Sequence, residues 1–179
     1  MARARKRSLP PATVSRSALL ARGSDAEFRG LIHDLIAYGH RLDACRDAFA
    51  AIVGISGVQY EILMLVSRAA GLSIGEVAAR LHRSGAFITI EANGLVGRGI
   101  LGKASDPKDG RKVLLKGTRK SLQLLERLAP YQVRVNDVLF ERLDARRFRQ
   151  LRRLARDLVA SGDRAVAMLD LLLQEAQAA

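Results

Sequence analysis

From Phe28 onward, apolar side chains return at every third or fourth position. A seven-residue repeat runs through Phe28, Leu35, Leu42 and Phe49, with Leu31, Tyr38, Cys45 and Ile52 interleaved. That spacing lines one face of a helix, and a stripe kept over about four heptads makes a seam that meets another helix. Ser24-Asp25-Ala26-Glu27 has the spacing of a capping box and predicts the start of this helix. A second box, Ser56-Gly57-Val58-Gln59, opens a helix through Ile62, Leu63, Leu65 and Val66 that is expected to stop near Gly71. A third, Ser73-Ile74-Gly75-Glu76, caps a short helix holding Val77, Ala78 and Leu81. After His82-Arg83, Ser84 stands as N-cap of the next helix, whose Ile88, Ala92, Leu95 and Val96 share a core-facing stripe. Two short helices joined this tightly form a helix-turn-helix.

The period then changes. Gly99 supplies a helix stop, and Ile100-Leu101-Gly102-Lys103 opposes Val113-Leu114-Leu115-Lys116 across the charged turn Asp106-Pro107-Lys108-Asp109-Gly110-Arg111, predicting a two-stranded ribbon. Thr118 is placed to cap a long helix striped by Leu124, Leu128, Tyr131, Val135 and Val138, with a kink expected at Pro130. Asp144 caps another, in which Leu151, Leu154 and Leu158 lie beside Arg146, Arg147, Arg149, Arg152, Arg153 and Arg156, read as a solvated face. Ser161-Gly162 interrupts that stripe, and Val166, Leu169, Leu172 and Leu173 resume it.

Composition narrows the class. With 49% hydrophobic residues, 4% aromatics and no Trp, the core of this 179-residue chain is built mostly from aliphatic side chains, as helix-on-helix packing requires. The formal charge of +12 attracts phosphate backbones or anionic surfaces before any specific contact forms. Six of these cations, Arg3, Arg5, Lys6, Arg7, Arg16 and Arg22, lie in residues 1–24 with no acid among them, and the remainder of the chain is still basic. Pro10-Pro11 and the lack of apolar periodicity there predict a disordered or extended arm, although its Arg and Ser content also fits a mitochondrial transit peptide. No apolar run reaches the length of a membrane span, and the single Cys45 excludes an internal disulfide framework, so a soluble protein of the cytoplasm is expected.

No phosphate-cradling glycine loop, His-Glu-x-x-His or metal-spaced Cys/His set is present, and His33 and His40, seven apart, have no obvious third ligand. Neither an enzyme nor a bound cofactor or metal is expected. What remains is recognition. The helix after Ser84 turns Ser84, Gly85, Thr89, Ile90 and Asn93 outward, where Asn pairs with an adenine edge and Thr or Ile touches a thymine methyl. The ribbon that follows offers Lys108, Arg111 and Lys112 to a minor groove or to phosphates. Candidate DNA contacts are therefore Arg83, Ser84, Gly85, Thr89, Asn93, Lys108, Arg111 and Lys112. Gly85, Gly94 and Gly97 weaken the helix, which a close approach to DNA or to a neighbouring helix would explain.

Residues from about 24 to 160 resemble the MarR family of winged-helix transcriptional regulators. The family's wing pattern, Asp-x-Arg-Asp-x-Arg, stands here as Asp106 to Arg111 with Lys108 in place of the first Arg, and Arg98-Gly99-Ile100-Leu101 corresponds to its Arg-Gly-Leu-Val. Gly85, Ile90 and Gly94 depart from the basic residues many members carry on the reading helix, which shifts the expected affinity toward the wing and the arm. The resemblance implies a mainly α fold with a small β wing: a winged helix-turn-helix with long N- and C-terminal dimerisation helices. It divides the chain into a basic disordered arm (1–23), an N-terminal dimerisation helix (24–54), a DNA-binding lobe (55–117) and C-terminal helices completing the dimerisation region (118–179). By analogy, Asp109 anchors the wing to the scaffold.

A homodimer on a near-palindromic duplex follows, with half-sites about one helical turn apart. The family also implies a repressor released by a small-molecule effector, often an aromatic carboxylate. For that ligand, Tyr38, His40, Arg41 and Tyr60 offer a stacking surface, a titratable donor and a cation, although Tyr38 equally fits the seam and Tyr60 the core. Two alternatives stay open. One is a sequence-neutral architectural nucleic-acid binder, which the charge and arm favour. The other is a redox-sensing regulator acting through Cys45, as in some relatives, with Arg41 and Arg46 near in sequence; as a small apolar side chain on the seam, Cys45 needs no such role.

Overall fold

The computed structural model describes residues 11–178. They form α1 (Ala26–Ile52), α2 (Gly57–Val66), β1 (Leu72–Ser73), α3 (Ile74–Leu81), α4 (Gly85–Gly97), β2 (Leu101–Ser105), β3 (Val113–Gly117), α5 (Arg119–Leu139) and α6 (Ala145–Ala178), preceded by a 3-10 turn at Ser17–Leu19. The chain makes two compact units, one ending at Gln132 and the other Val133–Ala179.

The capped helices start where the serines place them. Ser56 accepts from the Gln59 amide at 3.1 Å while the Gln59 side chain accepts from the Ser56 amide, and Ser73 and Glu76 make the same reciprocal pair. These bonds satisfy amides that the first helical turn leaves orphaned. Hydrogen bonding to the Ser73 backbone and side chain holds the Glu76 carboxyl below its ordinary pKa. Helix α3 ends on His82 in a left-handed conformation (φ 51°), with the Arg83 amide donating back to Ala78 at 3.0 Å. Gly99 (φ 67°) closes α4 in the same manner, its amide donating to Val96 and that of Ile100 to Leu95; glycine adopts this conformation without a Cβ clash.

The core lies in the first unit. Ile62, Leu63 and Val66 of α2, Val77 of α3, and Ile88, Ala92 and Leu95 of α4 are shut from water together with Ile100, Leu101, Leu115 and Leu128. Each buried Val, Leu or Ile side chain among them contributes roughly 1.5–3 kcal/mol of burial free energy. At the start of α2, Gly57 lies against the Asp47 carboxylate and the Arg46 guanidinium of α1, side chains that would have to move aside for a Cβ there.

Several expectations change. The ribbon is three-stranded, because Leu72 and Ser73 pair with Leu115 and Leu114 to give the antiparallel order β1-β3-β2; a two-residue strand carries too little alternation to be seen in sequence. Helix α2 stops at Val66, short of Gly71. Helix α6 runs unbroken across Ser161-Gly162. Ser161 turns its hydroxyl back onto the preceding turn, donating to the carbonyls of Asp157 and Leu158, and so is accommodated within the helix.

The predicted disordered arm is amended over its described part, and its first ten residues lie outside the described ones. The Asp25 carboxylate accepts from the Thr13 amide (2.8 Å), the Thr13 hydroxyl (2.9 Å) and Arg29 Nε (3.0 Å), and Arg29 also donates to the Pro11 carbonyl. Residues 11–24 thus form a strap tied to the first turn of α1. The capping box expected at Ser24 is not formed: the Ser24 hydroxyl accepts from the Ala26 amide at 3.2 Å, while Asp25 is the N-cap and makes no side-chain cap, its Oδ2 being taken by Thr13 and Arg29. Its pKa falls to about 2, chiefly through the Arg29 hydrogen bond. Among the described residues, no single helix is long and apolar enough to cross a membrane.

Candidate nucleic-acid interface

Helix α4 is held by its inner face and free on its outer one. Ile88, Ala92 and Leu95 are buried, Val96 is half-buried, and Arg83, Ser84, Gly85, Thr89, Ile90 and Asn93 are exposed, Ile90 at 70%. Ser84 caps the helix by accepting from the Phe87 amide at 3.3 Å, and no acid lies in its first turn. The positive end of the helix is therefore unopposed and suits an anion such as a backbone phosphate. Thr89 spends its hydroxyl proton on the Gly85 carbonyl at 2.7 Å, which leaves its methyl group and oxygen lone pair facing outward. The glycines separate: a Cβ on Gly94 would stand 3.2 Å from Gln59 of α2, so that one serves a helix contact, whereas Gly85 and Gly97 face open space.

The wing tip is locked by its own aspartates. Asp106 accepts from the Lys108 amide at 2.8 Å and Asp109 from the Arg111 amide at 3.2 Å, while the Asp106 amide donates to the Lys112 carbonyl and the Lys112 amide to Asp109. Aspartate bonding to a backbone amide two residues on mimics a turn and stiffens the tip. The Asp109 carboxylate also meets Arg111 Nε at 3.4 Å and Lys112 Nζ at 3.8 Å. The expectation that Asp109 ties the wing to the scaffold is corrected accordingly: its partners are all within the tip. Lys108, Arg111 and Lys112 are exposed, with Arg111 at 94%, so the tip presents cations on a stiff loop.

One connecting residue escaped the sequence. Lys103 of β2 donates to Asn93 Oδ1 at 2.9 Å, joining the strand that carries the wing to the outer face of α4. The strand alternation could have pointed to it only once the register, Lys103 opposite Leu115, was known. Lys120 donates to the Arg98 carbonyl, and Thr118 to those of Gly99 and Ile100, so the start of α5 clamps the exit of α4.

The four candidate ligand residues are not brought together. Tyr60 packs on Phe49 with ring centroids 6.1 Å apart, and its hydroxyl accepts from Gln132 Nε2 at 2.7 Å. Burial raises its pKa, partly offset by Gln132 and Arg68. Tyr38 lies eleven residues before Phe49, roughly 16 Å along α1 at 1.5 Å per residue. It is half-buried and its pKa is raised, mainly by burial and further by Cys45, whereas His40 and Arg41 are exposed and Arg41 donates to the Ala37 carbonyl. Cys45 is half-buried and free. The guanidinium of its neighbour Arg46 is engaged by Asp43 (2.7 Å), Asp47 (3.0 Å) and Glu61 (3.4 Å).

Residues 53–112, from the end of α1 through the wing tip, match the sequence model of the MarR family. Among solved structures, the chain is similar to a MarR/EmrR family transcriptional regulator from Acinetobacter sp. ADP1, with 18% identity over 76% of this chain and 96% of that one and a TM-score of 0.65. It is similar to CouR from Rhodococcus jostii RHA1, with 21% identity over 69% and 87% and a TM-score of 0.63. A MarR protein from Peptoclostridium difficile DA00132 shares 17% identity over 84% and 97%, with a TM-score of 0.64. No curated protein matches the chain. The resemblance read in Asp106 to Arg111 is borne out, as is the mainly helical winged fold.

Proposed function

We propose that this chain, which has the fold of the MarR-family transcriptional regulators, is a homodimeric, sequence-specific DNA-binding repressor of the cytoplasm. The observation that carries this reading is the Lys103–Asn93 bond, which fixes an acid-free, N-capped helix face and a stiff cationic wing as one rigid head. Helix α4 enters a major groove with Ser84, Gly85, Thr89 and Asn93 on base edges and Arg83 on phosphate. The wing places Lys108, Arg111 and Lys112 at the adjacent minor groove. Lys103 occupies one lone pair of Asn93 Oδ1 and so presets the amide that would pair with an adenine edge.

Two such heads in a dimer would read a near-palindrome. A small-molecule effector, in our reading an aromatic carboxylate, acts by preferring the conformation whose heads are wrongly spaced for the operator. CouR, solved bound to p-coumaroyl-CoA, supports a ligand-responsive regulator. Since Tyr38, His40 and Arg41 lie far along α1 from Tyr60, each group would serve a ligand separately within one protomer.

Selection of bound duplexes from a random pool tests the reading, and one enriched near-palindrome is expected. Replacing Lys108 and Arg111 by alanine should then weaken binding about evenly across sequences and lower the salt slope by about 2, near 0.9 per phosphate contact. A pool that enriches nothing would favour a sequence-neutral binder, and an unchanged slope would remove the wing from the interface.

A further inference from the structure

The arginines of α6 lie outside everything assigned above. Arg146, Arg149, Arg153 and Arg156 recur at intervals of three, four and three residues, which puts them on one helix face with Arg152 at its edge. At roughly 100° per residue, that face is opposite Leu151, Leu154, Leu158 and Leu169. All four arginines are exposed, and none makes an ion pair among the described residues. No Asp or Glu occurs from Ala145 to Arg156, and the first turn of α6 has no acid.

This arrangement works against the helix that carries it. Cations near a helix N-terminus oppose its dipole. Like charges three and four residues apart, such as Arg146 with Arg149, Arg149 with Arg153 and Arg153 with Arg156, repel. A face needed only for solubility would mix signs. The cationic residues here are also all arginine, whose planar fork matches phosphate with two parallel bonds. From Arg146 to Arg156 the ridge spans roughly 15 Å of helix, against about 3.4 Å of duplex axis per phosphate on each strand. A membrane surface fits less well, because the apolar stripe continues to Leu173 while the arginine run ends at Arg156, with only Arg164 beyond.

We propose that this arginine face of α6 is a second duplex-phosphate contact, separate from the winged head, which adds sequence-neutral affinity for DNA. The proposal rests on the reading of the head as a DNA binder. The phosphates come either from flanks of the same duplex or from a second duplex.

The test uses the full-length chain with Arg146, Arg149, Arg153 and Arg156 all replaced by Gln, with matched helicity and sedimentation as the folding control. Binding is followed from 50 to 200 mM salt on the selected operator, once trimmed and once with long flanks, and a two-colour capture assay scores the holding of two duplexes. The variant should keep the base preference and bind more weakly at 50 mM salt, with a deficit that shrinks about 3.5-fold per contact removed on going to 200 mM, a slope smaller by about 3 to 4. Loss confined to the long-flank duplex assigns the flanks, and loss of two-duplex capture assigns a second duplex. Should the fourfold variant misfold, Arg149→Gln with Arg153→Gln is expected to show about half the slope change, and the corresponding Lys pair almost none. Unchanged slopes and capture overturn the proposal, as does a loss seen only on vesicles of equal parts phosphatidylcholine and phosphatidylserine. Failure of the head's reading is a different result: no sequence enriched, with the salt slope still dependent on the arginines.

Discussion

In the winged lobe, Ile62, Leu63, Val77, Ile88, Leu95 and Leu101 are closed off from water by the protomer's own chain. In α6 not one residue is buried, and on α1 Leu31, Leu35 and Ile36 stand exposed. Both regions have apolar residues at helical spacing, so the same pattern has two outcomes. Short helices and a three-stranded sheet fold around each other and satisfy their stripes locally. Helices of 27 and 34 residues outrun anything the unit they belong to can lay against them, and their stripes wait for a partner. A large unpaired apolar surface of this kind marks an association site. In the function proposed above, its occupant is a second copy.

The contrast is broken most severely by placing charge on the long helix. Leu169→Asp with Leu172→Asp should turn a dimer into protomers in sedimentation and abolish operator binding while leaving the lobe folded. If the unaltered chain already sediments as a protomer at working concentrations, the seam has another purpose.

A smaller effect sharpens the comparison. Leu95→Ala empties a fully buried site in the lobe and should cost about 2–5 kcal/mol in urea unfolding, independent of protein concentration. Leu35→Ala, on the seam, should show a cost that grows or shrinks with concentration, as linkage to association requires.

The smallest effect concerns the strap. Asp25 has its pKa lowered to about 2, so its charged form is the one bound to Thr13 and Arg29. A lowered carboxyl pKa makes that anchor fully present above the ordinary carboxylate range and lost as pH falls toward about 2. Exchange protection of the Thr13 amide should therefore hold at neutral pH and fade in that acid window. Asp25→Ala should remove the protection at every pH with little change in the lobe.

The candidate interface was legible in unequal parts. Capping serines at 56, 73 and 84 and the glycine at 99 act through bonds to residues two to five positions away, so reading them needed no fold. Lys108, Arg111 and Lys112 were placed at the wing tip for the same reason. Lys103 was not found, since its partner Asn93 is set by how β2 turns back along α4. The grouping of Tyr60 with Tyr38, His40 and Arg41 joined chemistries without distances, and the helix rise separates them. At Ser24 the box spacing was present, but the hydroxyl takes the Ala26 amide and the N-cap falls one residue later, at Asp25.

The helix starts capped by Ser56, Ser73 and Ser84, the stop at Gly99, the wing turn, the buried stripe of α4 and the excess of positive charge were fixed by the order of residues, because each depends on interactions within about one helical turn or on simple counts. The third strand, the Lys103–Asn93 link, the direction Gly94 faces and the anchoring of residues 11–24 were decided by the folded chain. Those depend on which distant surfaces meet, and closing a long loop to bring them together is a choice that only the whole core makes.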